Sequence, residues 1–332
     1  MKRFASVAFV LWLFFLAGVS ISHAQTLKVP YVSVSPTNGP LWIAKEARLY
    51  QKYGLPDVQL VYIPGGTVII QSMLAGEASI SNMAPPAALA AWVKGADFAV
   101  VGSAVNRLLE TVVTRAEIKT PKDLKGRKVG IGRYGSLTDA AFREALRYYS
   151  LVPDKEVTVI QAGSEGSRLA ALFAGALDGA MLSGAERIQA EKSGFHVLID
   201  FSKLPLEFPN NGIIVRKDFI RSNRDALKRF LKAWVEGIKI FKTDPALSLN
   251  VLGKYLRVQD KDVLAKSYEP YPPVFERVPF PKRDGFVFAL DRLSKDMPEA
   301  AKMNIDTFID NSIIQELEKE GFINELYADK TK

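Results

Sequence analysis

From residue 27 onward, short apolar runs alternate with helical stretches, and the whole alternation recurs about a hundred residues later. Residues 27–34 read as a strand. Pro40 then opens a helix with Ile43, Ala47 and Tyr50 on one face, and Gly54 ends it. A second strand over 58–63 leads through Gly65-Gly66-Thr67 into a helix that runs to Leu74 and stops at Gly76. Residues 78–81 form a third strand, Pro85-Pro86 starts a helix closed by Gly95, and 98–101 form a fourth strand. Alternation of this kind implies a largely parallel sheet covered by helices.

The second pass begins at Lys128-Val129, where the first began at Lys28-Val29. Glu46-Ala47 corresponds to Glu144-Ala145, and 58–63 lines up with 157–162 at an offset of 99. The same offset pairs Ala75-Gly76 with Ala174-Gly175, Gly95 with Gly194, and 98–101 with 197–200. Glycines at helix ends recur in any α/β protein; the constant spacing does not. It implies two lobes of one architecture.

Between the lobes, 110–115 is strand-like, and Thr120 with Pro121 predicts a short capped helix. Two crossings are expected, at 113–115 and 210–214. Lobe 1 then comprises 25–113 plus 212–332, and lobe 2 comprises 114–211. In the tail, Leu227, Phe230, Leu231, Trp234, Ile238 and Phe241 form one core-facing stripe of a long helix. The tail is expected to pack on the first lobe.

The N-terminus reads separately. Lys2 and Arg3 precede an apolar run over 9–17 and small residues over 20–24, the pattern of a signal peptide cleaved near Ala24. An uncleaved anchor is the alternative, although the apolar run over 7–21 is short for a span of about 20 residues. The chain has no cysteine, hence no disulfide, thiolate metal site, cysteine nucleophile or lipidated N-terminal cysteine. An exported, untethered protein is expected in a periplasm closed by an outer membrane. The net charge is +8, or 8 − 2 = +6 without Lys2 and Arg3, and the basic residues are interspersed with acidic ones. That is a solvated basic surface, so no nucleic-acid partner is expected.

The run from Ser35 through Pro40-Leu41-Trp42-Ile43-Ala44-Lys45-Glu46 to Tyr53-Gly54-Leu55 resembles a known family. Further likeness lies in Gly65-Gly66-Thr67, in 73–78, in Asp123-Leu124-Lys125-Gly126-Arg127-Lys128-Val129-Gly130, in Leu177-Asp178-Gly179-Ala180 and in 211–216. Together these resemble the nitrate/sulfonate/taurine/thiamine-precursor group of ABC-transporter substrate-binding proteins. The resemblance implies an α/β periplasmic-binding-protein type II fold, with two three-layer lobes, two crossovers and hinge closure on a ligand. It implies as partners a small-molecule ligand and an inner-membrane ABC permease with its ATPase, and a monomeric protein without a cofactor. Pyrimidine-precursor synthases of the same superfamily resemble these proteins but carry a cysteine-rich motif, which this chain lacks.

Ligands of open parallel sheets sit beyond the carboxyl ends of the strands, where helix N-termini favour anions and hydrogen-bond acceptors. The first-lobe candidates are Ser35, Thr37, Asn38, Gly65, Gly66, Thr67 and Asn82. Thr67 suits either ligand contact or an N-cap. In the second lobe Ser136 and Asp139 fit a capping pair, with Tyr134 and Ser136 near the cleft. Arg133 would pair with an anion or face solvent. Ser164 and Glu165 occupy the counterpart of the double-glycine loop, and Ser183 and Asn211 complete the set. Glu165 suits an amine or hydroxyl donor and disfavours a dianion unless an arginine offsets it. Trp42 and Tyr62 would either stack on a ring or pack internally, and His196 reads as structural.

No nucleophile–base pair or metal-like spacing is visible, so no catalytic or metal residue is expected. The reading is capture of a small anionic or heterocyclic solute for import. The alternatives are an enzyme on the same fold, of synthase or lyase type, or a ligand-sensing module for a membrane receptor.

Overall fold

Apolar, β-branched segments that are hidden on both faces make poor surface strands and good central ones. The computed structural model describes residues 26–55, 57–205 and 209–328, and sorts ten strands into two five-stranded sheets, the edge strands less buried than the central ones. In the first half they are β1 (Leu27–Tyr31), β2 (Val58–Tyr62), β3 (Ile80–Met83), β4 (Phe98–Val105) and β5 (Thr111–Thr114). In the second they are β6 (Lys128–Ile131), β7 (Thr158–Gln161), β8 (Gly179–Leu182), β9 (His196–Asp200) and β10 (Asn211–Arg216). One sheet has the order β2-β1-β3-β10-β4 and the other β7-β6-β8-β5-β9. The two orders match strand for strand, with β6 to β9 standing for β1 to β4. Glycines paired across the repeat, Gly76 with Gly175 and Gly95 with Gly194, all have positive φ, because each ends a helix in the left-handed conformation.

The fourth strand of each sheet comes from outside its own βα series and runs antiparallel to both neighbours: β10 against β3 and β4, β5 against β8 and β9. The sheets are therefore mixed rather than simply parallel. This also moves the first crossing. The sequence pattern puts it at 113–115, but Thr111–Thr114 pairs along its length inside the second sheet, and the crossing is 106–110. Buried Leu108 lends that segment an apolar character that hides the boundary in the sequence. The return crossing precedes Asn211, which already belongs to β10, rather than spanning 210–214. The signal-peptide reading concerns residues outside those described. Among the described residues, no helix is long and apolar enough to cross a membrane.

The expected stripe Leu227, Phe230, Leu231, Trp234, Ile238 and Phe241 is buried, on the helix Arg224–Thr243. That helix packs closely on Gly39–Glu46. The tail does not confine itself to the first lobe. Val263 of the helix Lys261–Tyr268 meets Ala185 and Ile188 of the second-lobe helix Gly184–Lys192. There Lys192 Nζ lies 3.2 Å from Asp260. Arg292 of the helix Arg283–Ser294 reaches Glu144 in the second lobe at 3.2 Å. The apolar periodicity of these helices carries no sign that they have two partners.

Gly237 in the long helix is a position where helix propensity and packing oppose each other. Alanine is favoured over glycine in a helix by about 1 kcal/mol, but a Cβ here would lie 2.3 Å from the Pro40 carbonyl oxygen. Overpacking costs about 1–3 kcal/mol, so Gly237→Ala is expected to lower stability. Urea denaturation should show the midpoint falling; a rise would mean the helices do not touch as described.

Candidate functional site

Strands that share an orientation present their carboxyl ends on one side, so the loops of the two lobes meet there. They enclose a cavity of about 820 Å³. Gly65 and Gly66 enter after β2, Gly132 and Arg133 after β6, and Gly163 to Gly166 after β7. The crossings add Glu110 and Asn210, and the tail adds Tyr255 and Arg257. Arg133 clasps the lobes together: its Nε donates to the Pro64 carbonyl at 2.9 Å. A Cβ on Gly65 would sit 2.3 Å from Arg133 Cδ, and Gly65 has φ +97°, so glycine is required there on both counts.

Of the residues singled out in the sequence, Ser35, Thr37, Gly65, Gly66, Ser136, Ser164, Glu165 and Asn211 line this cavity. Asn38 and Asn82 lie behind the wall instead. Asn82 Nδ2 donates to Asn38 Oδ1 at 2.9 Å, and Asn38 Nδ2 donates to the Ser33 carbonyl at 2.8 Å, which braces the loop after β1 against β3. Thr67 is a second-position helix residue, with Gly65 as the N-cap, and its methyl faces Gly135 of the other lobe. Tyr134 borders a separate pocket of about 310 Å³, its hydroxyl donating to the Val159 carbonyl at 3.1 Å. Ser183 donates through both N and Oγ to the Glu165 carboxylate at 3.0 Å, so it orients that group. The Ser136–Asp139 pair caps differently from expectation: Asp139 accepts from Gly135 N at 2.7 Å, and the Ser136 hydroxyl caps no helix N–H. Trp42 is fully buried and stacks on Tyr255 with ring centroids 4.7 Å apart, which settles it as packing; Tyr62 reaches the cavity.

Three lining residues have no clear mark in the sequence: Glu110, Arg168 and Glu186. Arg168 is 4% exposed; its Nε donates to the Met181 carbonyl and its Nη1 to the Gly163 carbonyl, both at 2.6 Å, while Nη2 lies 3.9 Å from Glu165. Its one sequence signal is the i, i+3 spacing from Glu165. Burial lowers the Arg168 pKa, and the charges of Glu165, Glu186 and Glu110 oppose that shift. Burial pushes Glu110 up to about 7, aided by Glu165 and opposed by hydrogen bonds from Asn210 Nδ2 and Leu109 N, each at 3.1 Å. Glu186 is likewise pushed up to about 7, by burial first and then by the charge of Glu165. Glu165 and Glu186 stand in the first turns of their own helices, Glu165–Phe173 and Gly184–Lys192. The positive helix ends that would have drawn an anion are therefore already partly met by carboxylates of the chain.

Residues 35–247, well over half of the chain, match the model of the family described as NMT1/THI5 like. The chain belongs to that family. A Brucella abortus protein provisionally named a binding protein is 25% identical over 294 residues, covering 86% of this chain and 89% of its own. Two solved structures share the fold. The alkanesulfonate-binding protein SsuA of Xanthomonas axonopodis pv. citri, bound to MOPS, superposes with a TM-score of 0.71 at 16% identity, covering 88% of this chain and 96% of its own. The periplasmic nitrate-binding protein NrtA of Synechocystis PCC 6803 gives 0.74 at 16% identity, covering 89% of each chain. With the matched sheet orders, these likenesses make the architecture a periplasmic-binding-protein type II fold.

The raised carboxyl pKa values fix the sign of a pH effect on stability. Between the ordinary value of 4.5 and about 7, folded Glu110 and Glu186 hold more protons than in the unfolded chain. Stability therefore falls as pH rises through that window, by on the order of 1–3 kcal/mol per group. Thermal melts of ligand-free protein from pH 5 to pH 8 should show a declining midpoint, with a shallower decline in Glu110→Gln. An equal slope in that variant would place the titrating group elsewhere.

Proposed function

We propose that this chain is the exported, periplasmic substrate-binding component of an ABC importer. It captures a small organic solute as its two lobes close, and delivers it, as a monomer, to an inner-membrane permease with its ATPase. The observation that carries the reading is the cavity of about 820 Å³, built from both lobes and bridged by Arg133 on the Pro64 carbonyl. That volume lies within the ~300–1,000 Å³ of small-molecule sites. Membership in the NMT1/THI5-like family supports it, as do the names of fold neighbours that bind alkanesulfonate or nitrate. Capture needs no chemistry, and the proposed role is binding without turnover.

Of the anionic and heterocyclic solutes expected from the resemblance, a ring-bearing organic solute suits this cavity better than a small inorganic anion. Tyr31 and Tyr62 lie side by side in its wall, ring centroids 5.7 Å apart, and the volume exceeds what a single nitrate fills. Calorimetry with solutes identified by mass spectrometry of the purified protein tests the role, with the bound solute recovered unchanged by chromatography. Recovery of a converted product would overturn the binding-protein reading.

A hydrogen bond to a charged donor contributes about 1.5–3 kcal/mol, and the Arg133 clasp forms only when the lobes meet. Arg133→Ala is expected to weaken solute affinity by about tenfold or more while leaving the ligand-free melting temperature little changed. Unaltered affinity would show that the clasp takes no part in closure.

A further inference from the structure

The lobes also meet through residues other than the Arg133 clasp. A Cβ on Gly184 would lie 3.5 Å from Pro36 Cδ, so the second-lobe chain after β8 passes close to the loop after β1. Tyr271 of the tail joins them there. It is 3% exposed, and its hydroxyl hydrogen-bonds to both Ser35 and Ser183. The tail fixes Tyr271 to the first lobe, in one apolar cluster with Val101, Trp234 and Phe241. Around it, Phe275 N donates to the Tyr271 carbonyl at 3.2 Å and Glu276 N to the Ala104 carbonyl at 2.8 Å. Lys242 Nζ donates to the Pro272 carbonyl at 2.6 Å.

The protons of these hydroxyls run in one direction. A hydroxyl has a single proton to donate. Ser183 Oγ donates its own to the Glu165 carboxylate at 3.0 Å, so toward Tyr271 it can only accept. Burial raises the Tyr271 pKa, so its hydroxyl keeps the proton that it donates there. Tyr271 in turn accepts from Ser35, whose oxygen accepts from Thr37 Oγ1 at 3.3 Å. Thr37, Ser35, Tyr271, Ser183 and Glu165 thus form one relay, from the first lobe to a carboxylate of the second. Ser183 gives an independent sign. It is the N-cap of Gly184–Lys192, where a serine hydroxyl ordinarily serves a helix N–H, yet it caps none. Its hydroxyl is committed to Glu165 and Tyr271 instead.

We infer that Tyr271 is a positioning residue of the site: its hydroxyl ties Ser35 of the first lobe to Ser183 of the second. It thereby holds the Glu165 carboxylate in the cavity wall and favours the arrangement in which the lobes meet. Tyr271 lies behind the residues that line the cavity and acts through Ser183. The inference rests on the reading of the cavity as a solute site between two lobes that move. Its test needs no solute, so the two can fail separately.

The chain has no cysteine, so Lys94→Cys in the first lobe and Lys155→Cys in the second, both exposed positions, accept a pair of dyes. Single-molecule energy transfer on the solute-free protein then reads the ratio of open to closed molecules. Tyr271→Phe is expected to raise that ratio about three- to tenfold, the factor of one ordinary hydrogen bond. Ser183→Ala should raise it too, and the double variant no further than the larger single effect, because both break one link. The control is Tyr268→Phe. Tyr268 is also a buried tail tyrosine, but its hydroxyl donates to the Phe241 carbonyl at 2.7 Å within the first lobe, so its loss should leave the ratio at the wild-type value. An unchanged ratio in Tyr271→Phe, or a change matched by Tyr268→Phe, overturns the inference and leaves solute capture standing. So do effects of Tyr271→Phe and Ser183→Ala that multiply, or a wild-type protein without a closed population. Where Tyr271→Phe lacks a native circular-dichroism spectrum, Ser183→Ala decides: a raised ratio supports the inference and an unmoved one overturns it.

Discussion

The hydrogen-bond ladders of β10 and β5 hold the arrangement together. Each strand lies inside a sheet, bonded on both edges, and reaches it from the opposite lobe. Neither can leave without breaking two ladders, so the lobes are tied by 106–110 and by the chain that joins β9 to β10. The ends of these links lie side by side: Asn210 N donates to the Val105 carbonyl at 2.9 Å, and Phe201 N to the Glu110 carbonyl at 3.2 Å. Two adjacent links allow bending with little else, which is the mechanical basis of a hinge. The same links place Glu110 and Asn210 in the cavity, joined at 3.1 Å. A solute that touches Glu110 therefore touches the hinge.

The electrostatics of the cavity follow from how the sheets are wound. Parallel βα units bring helix N-termini to the cleft, and their partial positive charge sets a background that favours anions. Side-chain charges of both signs add to it: Arg133 and Arg168 stand among Glu110, Glu165 and Glu186. Glu165 and Glu186 counter their own helix ends, and Arg168 is held beneath them by the Met181 and Gly163 carbonyls.

The tail adds a strap across both lobes. Val263 packs on Ala185 and Ile188, and Lys192 and Arg292 make ion pairs to Asp260 and Glu144 that span the lobes. Partly exposed ion pairs contribute about 0–1 kcal/mol. Such contacts hold the two lobes together only weakly.

Much of the fold is legible in the chain. Strand and helix periods, proline at helix starts and glycine at helix ends are local consequences of backbone geometry, so the recurrence near an offset of 99 reappears as matched sheet orders. The strand–loop–helix turns are equally legible, which is why Ser35, Gly65, Gly66, Ser136, Ser164 and Glu165 stand out from the sequence alone. The true place of the crossing, the divided loyalty of the tail, and Glu110, Arg168 and Glu186 do not. Arg168 looks like one more polar residue on an amphipathic helix, and Glu110 like the start of a strand. Their meaning depends on partners far away in sequence, such as Asn210 beside Glu110, 100 residues apart. Local spacing determined what the elements are. Long-range strand pairing decided which polar groups meet, and so the charge of the cavity, because only the folded sheets bring the crossings and the helix ends to one place.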